Sequence, residues 1–308
     1  MISIARKALA ALAATTLALA LSGCAQGTST NDGLIHVVSA TKVWASIAQA
    51  IGGDRVAAEP LIDNANQDPH SFEASTRDQL QVNKADLIIV NGGGYDTFLE
   101  SMAASHGVAG EVINLDALLA NGEAGTNEHF WFSTTNVLTA ADVIRDELVK
   151  LEPGSEADFN AAHDEFAADL NLLAEQISAI AAAHPGASVL ATEPLLDYLL
   201  DELAFTDKTP EAFKEAIEEE TDAPLAAIAE LEKLLKSGGI KVLFVNAQTA
   251  SAQVDALVKV AQANNVPVVS VSEFQTEADQ SYINFKSNVL LDIETALTTG
   301  ESSAGDFD

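Results

Sequence analysis

The stretch "SEADFNAAHDEFAADLNLLAEQISAIAAA", residues 155–183, contains neither proline nor glycine. Its apolar residues recur at intervals of three and four, which is the spacing of one face of an α-helix. These residues are Phe159, Ala162, Phe166, Leu170, Leu173, Ile177 and Ile180. At about 1.5 Å per residue such a helix is roughly 40 Å long, which is more than one small domain needs. We therefore predict a connecting helix over 153–185 that joins two lobes.

The sequence on both sides of this helix alternates between strand-like and helix-like patterns. Strand-like apolar runs occur at 34–38, 56–62, 85–94, 111–115, 188–192, 241–246 and 266–271. This alternation is typical of a parallel sheet covered by helices. The predicted fold class is therefore α/β, with one parallel-sheet lobe over 34–152 and a second over 186–298. The final segment, 299–308, is predicted to be a disordered tail.

The N-terminus has the pattern of an export signal over residues 1–24. Arg6 and Lys7 precede an apolar run that is short for a membrane span, and "LSGC" follows at 21–24. Cys24 is the only cysteine of the chain, and its position is similar to that of the lipidated cysteine in a bacterial lipobox. A lipidated Cys24 would anchor an exported protein to the cell membrane, with 25–33 as a flexible tether. The alternative is an ordinary signal peptide with an incidental cysteine.

The composition excludes several classes of function. The chain has 46 acidic and 15 basic residues, and its net charge is -31. Such a charge repels nucleic acid, so we expect no nucleic-acid partner. A single cysteine allows no internal disulfide. The chain also lacks the HExxH and GxSxG motifs of common hydrolases.

Four ionisable residues lie where a parallel sheet binds ligands, which is beyond the carboxyl ends of its strands. His70 follows the second strand-like run, and Pro69 stiffens the backbone before it. His129 lies in the loop ahead of the helix that starts near 136. Glu193 and Glu273 each follow a strand-like run in the second half. Each of these residues taken alone is typical of a solvated surface position or of the first turn of a helix. Together, two imidazoles and two carboxylates suit a divalent first-row metal ion.

Several motifs carry a family resemblance. They are "NQDPHSFEASTRDQLQVNKADLIIVNGGGYDTFL" (66–99), "NEHFWFS" (127–133), "LATEPLLDYLLDEL" (190–203) and "VPVVSVSEF" (266–274). In this order they resemble the metal-binding solute-binding lipoproteins of bacterial manganese/zinc ABC transporters, the cluster A-I family, from about 34 to 297. The resemblance implies two α/β lobes joined by one long helix, and one metal ligand at each of four positions. Carried over, these positions are His70, His129, Glu193 and Glu273.

The resemblance also implies the role and the partners. The protein would be a monomeric receptor rather than an enzyme, and it would deliver one divalent ion to an ABC permease and its ATPase. A two-histidine, two-carboxylate set implies Mn²⁺, with Zn²⁺ or Fe²⁺ as alternatives, and oxygen ligands suit the harder ion. A metal-dependent hydrolase or oxygenase and an adhesin lipoprotein are the alternatives from other classes.

Two departures from the family pattern leave details open. Glu128 stands where proline is common in the second motif. The fourth motif continues as "SEFQTEADQSY", so that Glu277 or Asp279 could replace Glu273 as the fourth ligand.

Overall fold

The computed structural model describes residues 33–303 apart from 65, 66, 68, 106, 120–126, 250, 277 and 278. The segment with Cys24, the alternative ligand Glu277 and residues 304–308 lie outside the described residues. The chain from Ile35 onward forms one compact unit. Within the described residues, none of the helices combines the length and the hydropathy that a bilayer crossing needs.

The first sheet has four parallel strands in the order β2-β1-β3-β4. They are β1 (Ile35–Ser39), β2 (Val56–Pro60), β3 (Leu87–Val90) and β4 (Glu111–Asn114). Its helices are α1 (Lys42–Gly52), α2 (Thr76–Val82), α3 (Thr97–Ala103) and α4 (Leu115–Leu119). Every residue of β3, "LIIV", is buried, as expected for a central strand covered on both faces.

The second sheet repeats this arrangement, with four parallel strands in the order β6-β5-β7-β8. They are β5 (Ser188–Ala191), β6 (Thr206–Asp207), β7 (Leu243–Asn246) and β8 (Val268–Val271). Its helices are α7 (Asp197–Glu202), α8 (Glu211–Glu218), α9 (Leu225–Leu235), α10 (Ala252–Ala263) and α11 (Tyr282–Thr299). Because β6 has two residues, no apolar run marks it in the sequence.

Two helices lie between the sheets in the chain, α5 (Thr134–Leu151) and the long α6 (Glu156–Ala183). The apolar face of α6 is buried as its spacing predicts, with Phe159, Leu170 and Ile180 inside. It packs against α1 of the first lobe and α11 of the second. One continuous hydrophobic core therefore includes residues of both sheets and of α6.

The predicted α/β fold, with two parallel-sheet lobes and one long helix, is confirmed. The proposed limits of the lobes at 34–152 and 186–298 stay predictions.

Residues 299–303, the first half of the expected disordered tail, have defined contacts, and for 304–308 the expectation stays a prediction. α11 ends at Thr299, and Gly300 closes it in the left-handed conformation (φ 76°) that glycine tolerates. Val268 of β8 then accepts a hydrogen bond from the backbone N–H of Ser303 (3.1 Å). The N–H of Val268 donates to Oγ of Ser302 (2.9 Å). Residues 299–303 therefore end a helix and lie along a strand.

Candidate metal centre

The four residues predicted as ligands all lie in segments that follow strands or connect elements. His70 is in the loop between β2 and α2, and His129 is in the segment before the 3-10 turn Phe130–Phe132. Glu193 and Glu273 each lie two residues beyond the end of a strand, β5 and β8 respectively. The carboxyl ends of the strands therefore supply the second-lobe acids, as the parallel-sheet rule predicts.

Two sets of hydrogen bonds, one around His70 and one at the start of α2, fix the segment that carries His70. The N–H of Phe72 donates to the carbonyl of Pro69, which closes a tight turn around His70. Ser75 and Asp78 then form a reciprocal capping box at the start of α2. The ring of His70 packs edge-on against Tyr95, with the ring centroids 5.3 Å apart.

His129 presents one nitrogen without a proton. Its side chain is 1% exposed, and its Nδ1 lies 2.8 Å from Oδ1 of Asn127. That oxygen can only accept, so Nδ1 carries the proton and Nε2 carries the lone pair. Burial first, and the nearby His70 second, lower the pKa of His129 to about 3. Within the described residues Nε2 is buried and has no hydrogen-bond partner.

Asn127 also ties this histidine to the second lobe. Its Nδ2 donates to the carbonyl of Pro194 (2.6 Å), the residue after Glu193. Its own carbonyl accepts from the hydroxyl of Tyr198 (2.8 Å). One asparagine therefore sets the tautomer of His129 and fixes its position next to the segment that carries Glu193.

A third side chain, not identified from the sequence, completes a compact group with the two histidines. Oε1 of Glu218 lies 3.7 Å from Nε2 of His129 and 4.0 Å from Nε2 of His70. Each of the three side chains places a ligand atom within 4.8 Å of the other two. Two imidazoles and a carboxylate are ligands for a divalent first-row metal ion.

Glu218 is the last residue of α8 and lies in the acidic run "EEE" (218–220). Nothing in that run distinguishes one acid from another. The available signal is helical spacing, because Glu218 is four residues after Lys214, which is buried, and so lies on the same helix face.

The surroundings of Glu218 are acidic. Burial raises its pKa to about 9, and negative charge on Glu193, Glu128 and Glu273 adds to the effect. The buried cation of the same helix, Lys214, is paired with acids of its own, Asp197 (2.5 Å) and Asp207 (3.1 Å). A divalent cation at the histidines would offset this accumulation of negative charge.

Glu193 and Glu273 form a neighbouring pair of buried carboxylates. Nδ2 of Asn246, at the end of β7, donates to Oε2 of Glu193 (2.7 Å) and to Oε1 of Glu273 (3.0 Å). Thr249 donates its hydroxyl to the other oxygen of Glu193. Tyr95 donates to Oε2 of Glu273 (3.0 Å), and its ring lies against both histidines. The two carboxylates are therefore oriented by donors, and Glu273 is connected to the histidines through Tyr95. Among the described residues, the group of ligand atoms within 4.8 Å of one another contains His70, His129 and Glu218 and neither of these two acids.

Asp279, the alternative to Glu273, has different contacts. Its Oδ2 accepts from the backbone N–H and the hydroxyl of Thr276, and its Oδ1 accepts from Asn288. These contacts engage both of its carboxylate oxygens. Asp279 is therefore held within its own segment and by α11, whereas Glu273 contacts Tyr95 of the first lobe and Asn246 of β7.

Comparison with known families identifies the fold and the class of protein. The sequence profile of the family described as "Zinc-uptake complex component A periplasmic" (ZnuA) matches residues 37–296. The chain belongs to this family. The family resemblance predicted from the motifs is confirmed at the level of the family, which is one of metal-binding solute-binding proteins.

Relatives of this ZnuA-family chain include proteins named for three different metals, since the iron-binding protein YfeA of Yersinia pestis is 26% identical over 181 residues, covering 56% of this chain and 57% of YfeA. The chain is 26% identical over 270 residues to the manganese-binding lipoprotein MntA of Bacillus subtilis, covering 84% of this chain and 87% of MntA. It is 23% identical to the zinc-binding lipoprotein AdcA of Streptococcus pneumoniae serotype 4, covering 90% of this chain. The chain spans 58% of that AdcA and, in its match to MntA of Halalkalibacterium halodurans, 55% of the relative.

Solved structures support the same fold. The periplasmic zinc-binding protein TroA of Treponema pallidum aligns with a TM-score of 0.73 at 19% identity, over 86% of this chain and 99% of TroA. FpvC of Pseudomonas aeruginosa in complex with Mn²⁺ aligns with a TM-score of 0.68 at 22% identity, over 86% of this chain and 97% of FpvC. At these identities the likeness establishes the architecture of the ZnuA-family chain.

Proposed function

We propose that this protein captures one divalent transition-metal ion outside the cytoplasm, with Mn²⁺ as the preferred ion, and delivers it to an ABC permease and its ATPase. The observation that carries the proposal is the buried, unprotonated Nε2 of His129, which lies close to His70 and to the carboxylate of Glu218 in the second lobe. A buried lone pair of this kind needs a donor or a cation, and a bound metal ion would supply the cation.

The ion would be held by His70, His129, Glu193 and Glu273, with both lobes contributing. Metal binding requires neutral imidazoles and ionised carboxylates. His129 meets this requirement because of its burial, and the two acids accept hydrogen bonds that favour their ionised form. Asn127 hydrogen-bonds to His129, and Asn246 hydrogen-bonds to both acids. Such partners usually orient the ligands of a bound metal.

The choice of Mn²⁺ follows from the ligand chemistry. Carboxylate oxygens suit Mn²⁺, whereas additional imidazoles or thiolates favour Zn²⁺. The same site has a higher intrinsic affinity for Zn²⁺ than for Mn²⁺, so the supply of each metal contributes to the selection. MntA is named for manganese, AdcA for zinc and YfeA for iron, so Zn²⁺ and Fe²⁺ remain the alternatives within this function.

The N-terminal segment would place the receptor at the membrane. We propose that Cys24 is lipidated and that the residues after it tether a monomeric receptor near its permease. A metal-dependent hydrolase is less well supported, because a catalytic ion keeps a coordination position open to water. Three of the proposed ligands, His129, Glu193 and Glu273, are buried, and His70 is the exposed one.

The experiment is metal analysis and titration calorimetry on residues 25–308, with Mn²⁺ and Zn²⁺ as the probes. We expect one ion per chain, and we expect the double variant His70→Ala, His129→Ala to lose it. His184→Ala is the matched control because His184 lies at the end of α6, and it should bind as the wild type does. Equal binding by the double variant would refute the site.

A further inference from the structure

We propose that Glu218 is an additional metal ligand, which raises the donor set to two imidazoles and three carboxylates and favours Mn²⁺ over Zn²⁺. The inference rests on the proposed function, because it assigns a fifth donor to the same ion. The family resemblance implies four ligand positions, and Glu218 is outside all four.

The distances fit donors that share one ion. Oε1 of Glu218 is 3.7 Å from Nε2 of His129 and 4.0 Å from Nε2 of His70, which is too long for hydrogen bonds. Two ligand atoms that each lie about 2.1 Å from one ion are separated by roughly 3 to 4.2 Å, depending on the angle at the ion. Both measured separations lie in this interval.

The unsatisfied atoms converge on one point. Within the described residues, both carboxylate oxygens of Glu218 are buried and accept no hydrogen bond. Nε2 of His129 is also buried and has no hydrogen-bond partner. Buried polar atoms are normally paired, so a group of them facing one another indicates a missing partner. An ionised carboxylate and an unprotonated imidazole nitrogen can only accept, so the missing partner is a cation, and in the metal-free protein a proton on Glu218 takes its place.

The electrostatics favour a cation with more than one charge. Glu218 is exposed to the negative charge of Glu193, Glu128 and Glu273. Lys214, the buried lysine of the same helix, is already paired with two aspartates. A divalent ion held by Glu218 and both histidines would relieve this repulsion, and it would join α8 of the second lobe to the two loops of the first.

A fifth donor changes the preference between metals. Zn²⁺ is usually satisfied by four ligands in a tetrahedron. Mn²⁺ accepts more ligands and prefers oxygen. An extra carboxylate therefore improves the site for Mn²⁺ more than for Zn²⁺, and Glu218 acts as a specificity-determining ligand.

The test is the isosteric variant Glu218→Gln, with Mn²⁺ and Zn²⁺ affinities measured by calorimetry and, for Zn²⁺, by competition with a chelator. We expect the Mn²⁺ affinity to fall by about tenfold or more, and the Zn²⁺ affinity to fall by less. Glu219→Gln is the matched control, because the exposed Glu219 is the next residue and removes the same charge. It should bind both ions as the wild type does.

Two outcomes would overturn the proposal. One is a Glu218→Gln variant with unchanged Mn²⁺ affinity, and the other is an equal loss in Glu219→Gln, which would indicate a general effect of charge. If Glu218→Gln does not fold, a structure of the Mn²⁺-loaded wild type decides by showing whether a Glu218 oxygen contacts the ion. Failure of this proposal alone leaves wild-type binding and its loss on His70→Ala, His129→Ala intact, whereas a wild type that binds no metal refutes the proposed function as well.

Discussion

The hydroxyl of Tyr95, in the first lobe, donates a 3.0 Å hydrogen bond to Oε2 of Glu273 in the second. Tyr95 follows the glycines at the end of β3, where Asp96 accepts hydrogen bonds from the N–H groups of Asn91 and Gly92. Gly92 has a φ of 81°, and a Cβ there would meet Oδ1 of Asn114 at 2.4 Å. The turn therefore requires glycine, and it fixes the ring that connects the histidines to Glu273.

Loss of the Tyr95 hydroxyl should weaken metal binding with little change in fold. Tyr95→Phe keeps the ring against His70 and removes the donor to Glu273, so that carboxylate loses one of its orienting partners. We expect the metal affinity to fall by about tenfold and the free energy of unfolding to fall by about 1–3 kcal/mol. Calorimetry and urea unfolding measure the two effects. Unchanged affinity would mean that Glu273 does not depend on Tyr95.

Asn246 should matter to both acids at once. Asn246→Ala removes the Nδ2 group that bridges Glu193 and Glu273, so the two carboxylates repel without a shared donor. We expect a loss of metal affinity of about tenfold or more. Asn264→Ala is the matched control, because Asn264 is exposed at the end of α10 and its Nδ2 donates to the carbonyl of Val260. An equal effect of the two variants on metal titrations would contradict the bridging role.

The long helix should show a sharp contrast between adjacent leucines. Leu173 is 3% exposed in the shared core, whereas Leu172 is 62% exposed. Leu173→Ala should lower the free energy of unfolding by about 2–5 kcal/mol, because it leaves a cavity. Leu172→Ala should change it by less than about 0.5 kcal/mol. Urea unfolding measures both, and similar effects would mean that α6 does not pack through the predicted face.

Lys286 gives the stability a pH dependence. It is fully buried on α11, donates to the carbonyl of Phe132 and lies over the ring of that residue. Burial lowers its pKa to about 7, against an opposing effect of Glu202, whereas an unfolded lysine titrates near 10.4. Between these values the unfolded chain binds more protons, so this group makes stability rise with pH. Below about pH 7 both states are protonated and its contribution to the slope vanishes.

Lys286→Met isolates this effect. The free energy of unfolding of the wild type minus that of the variant should increase by up to about 1.4 kcal/mol per pH unit above pH 7. Urea unfolding of the metal-free protein at several pH values gives this difference. Lys259→Met, at an exposed position of α10, should not show it. A difference that is constant from pH 7 to 10 would contradict the lowered pKa.

The sequence predicts those features that depend on local pattern. The spacing of Phe159 to Ile180 is helical over many turns, so α6 could be predicted without knowledge of its neighbours. The chain order of strands and helices predicts parallel sheets, and the parallel-sheet rule then points to Glu193 and Glu273. Pro69 and the motif around it mark His70.

Features that depend on tertiary packing could not be predicted from the local sequence pattern. Glu218 reaches the histidines because the second lobe places the end of α8 beside them, and its neighbours in sequence are also acidic. Asn246 and Thr249 orient the acids from segments without a distinguishing motif. Their roles depend on distances between segments that are far apart in the chain.

The most direct test of the proposed metal site is a crystal structure of residues 25–308 with Mn²⁺, with the ion identified by its anomalous scattering. We predict a single ion bound by Nε2 of His70, Nε2 of His129, Glu193 and Glu273, with an oxygen of Glu218 as the additional ligand. An ion bound elsewhere, or His70 and His129 turned away from Glu193 and Glu273 with no ion between them, would contradict the account.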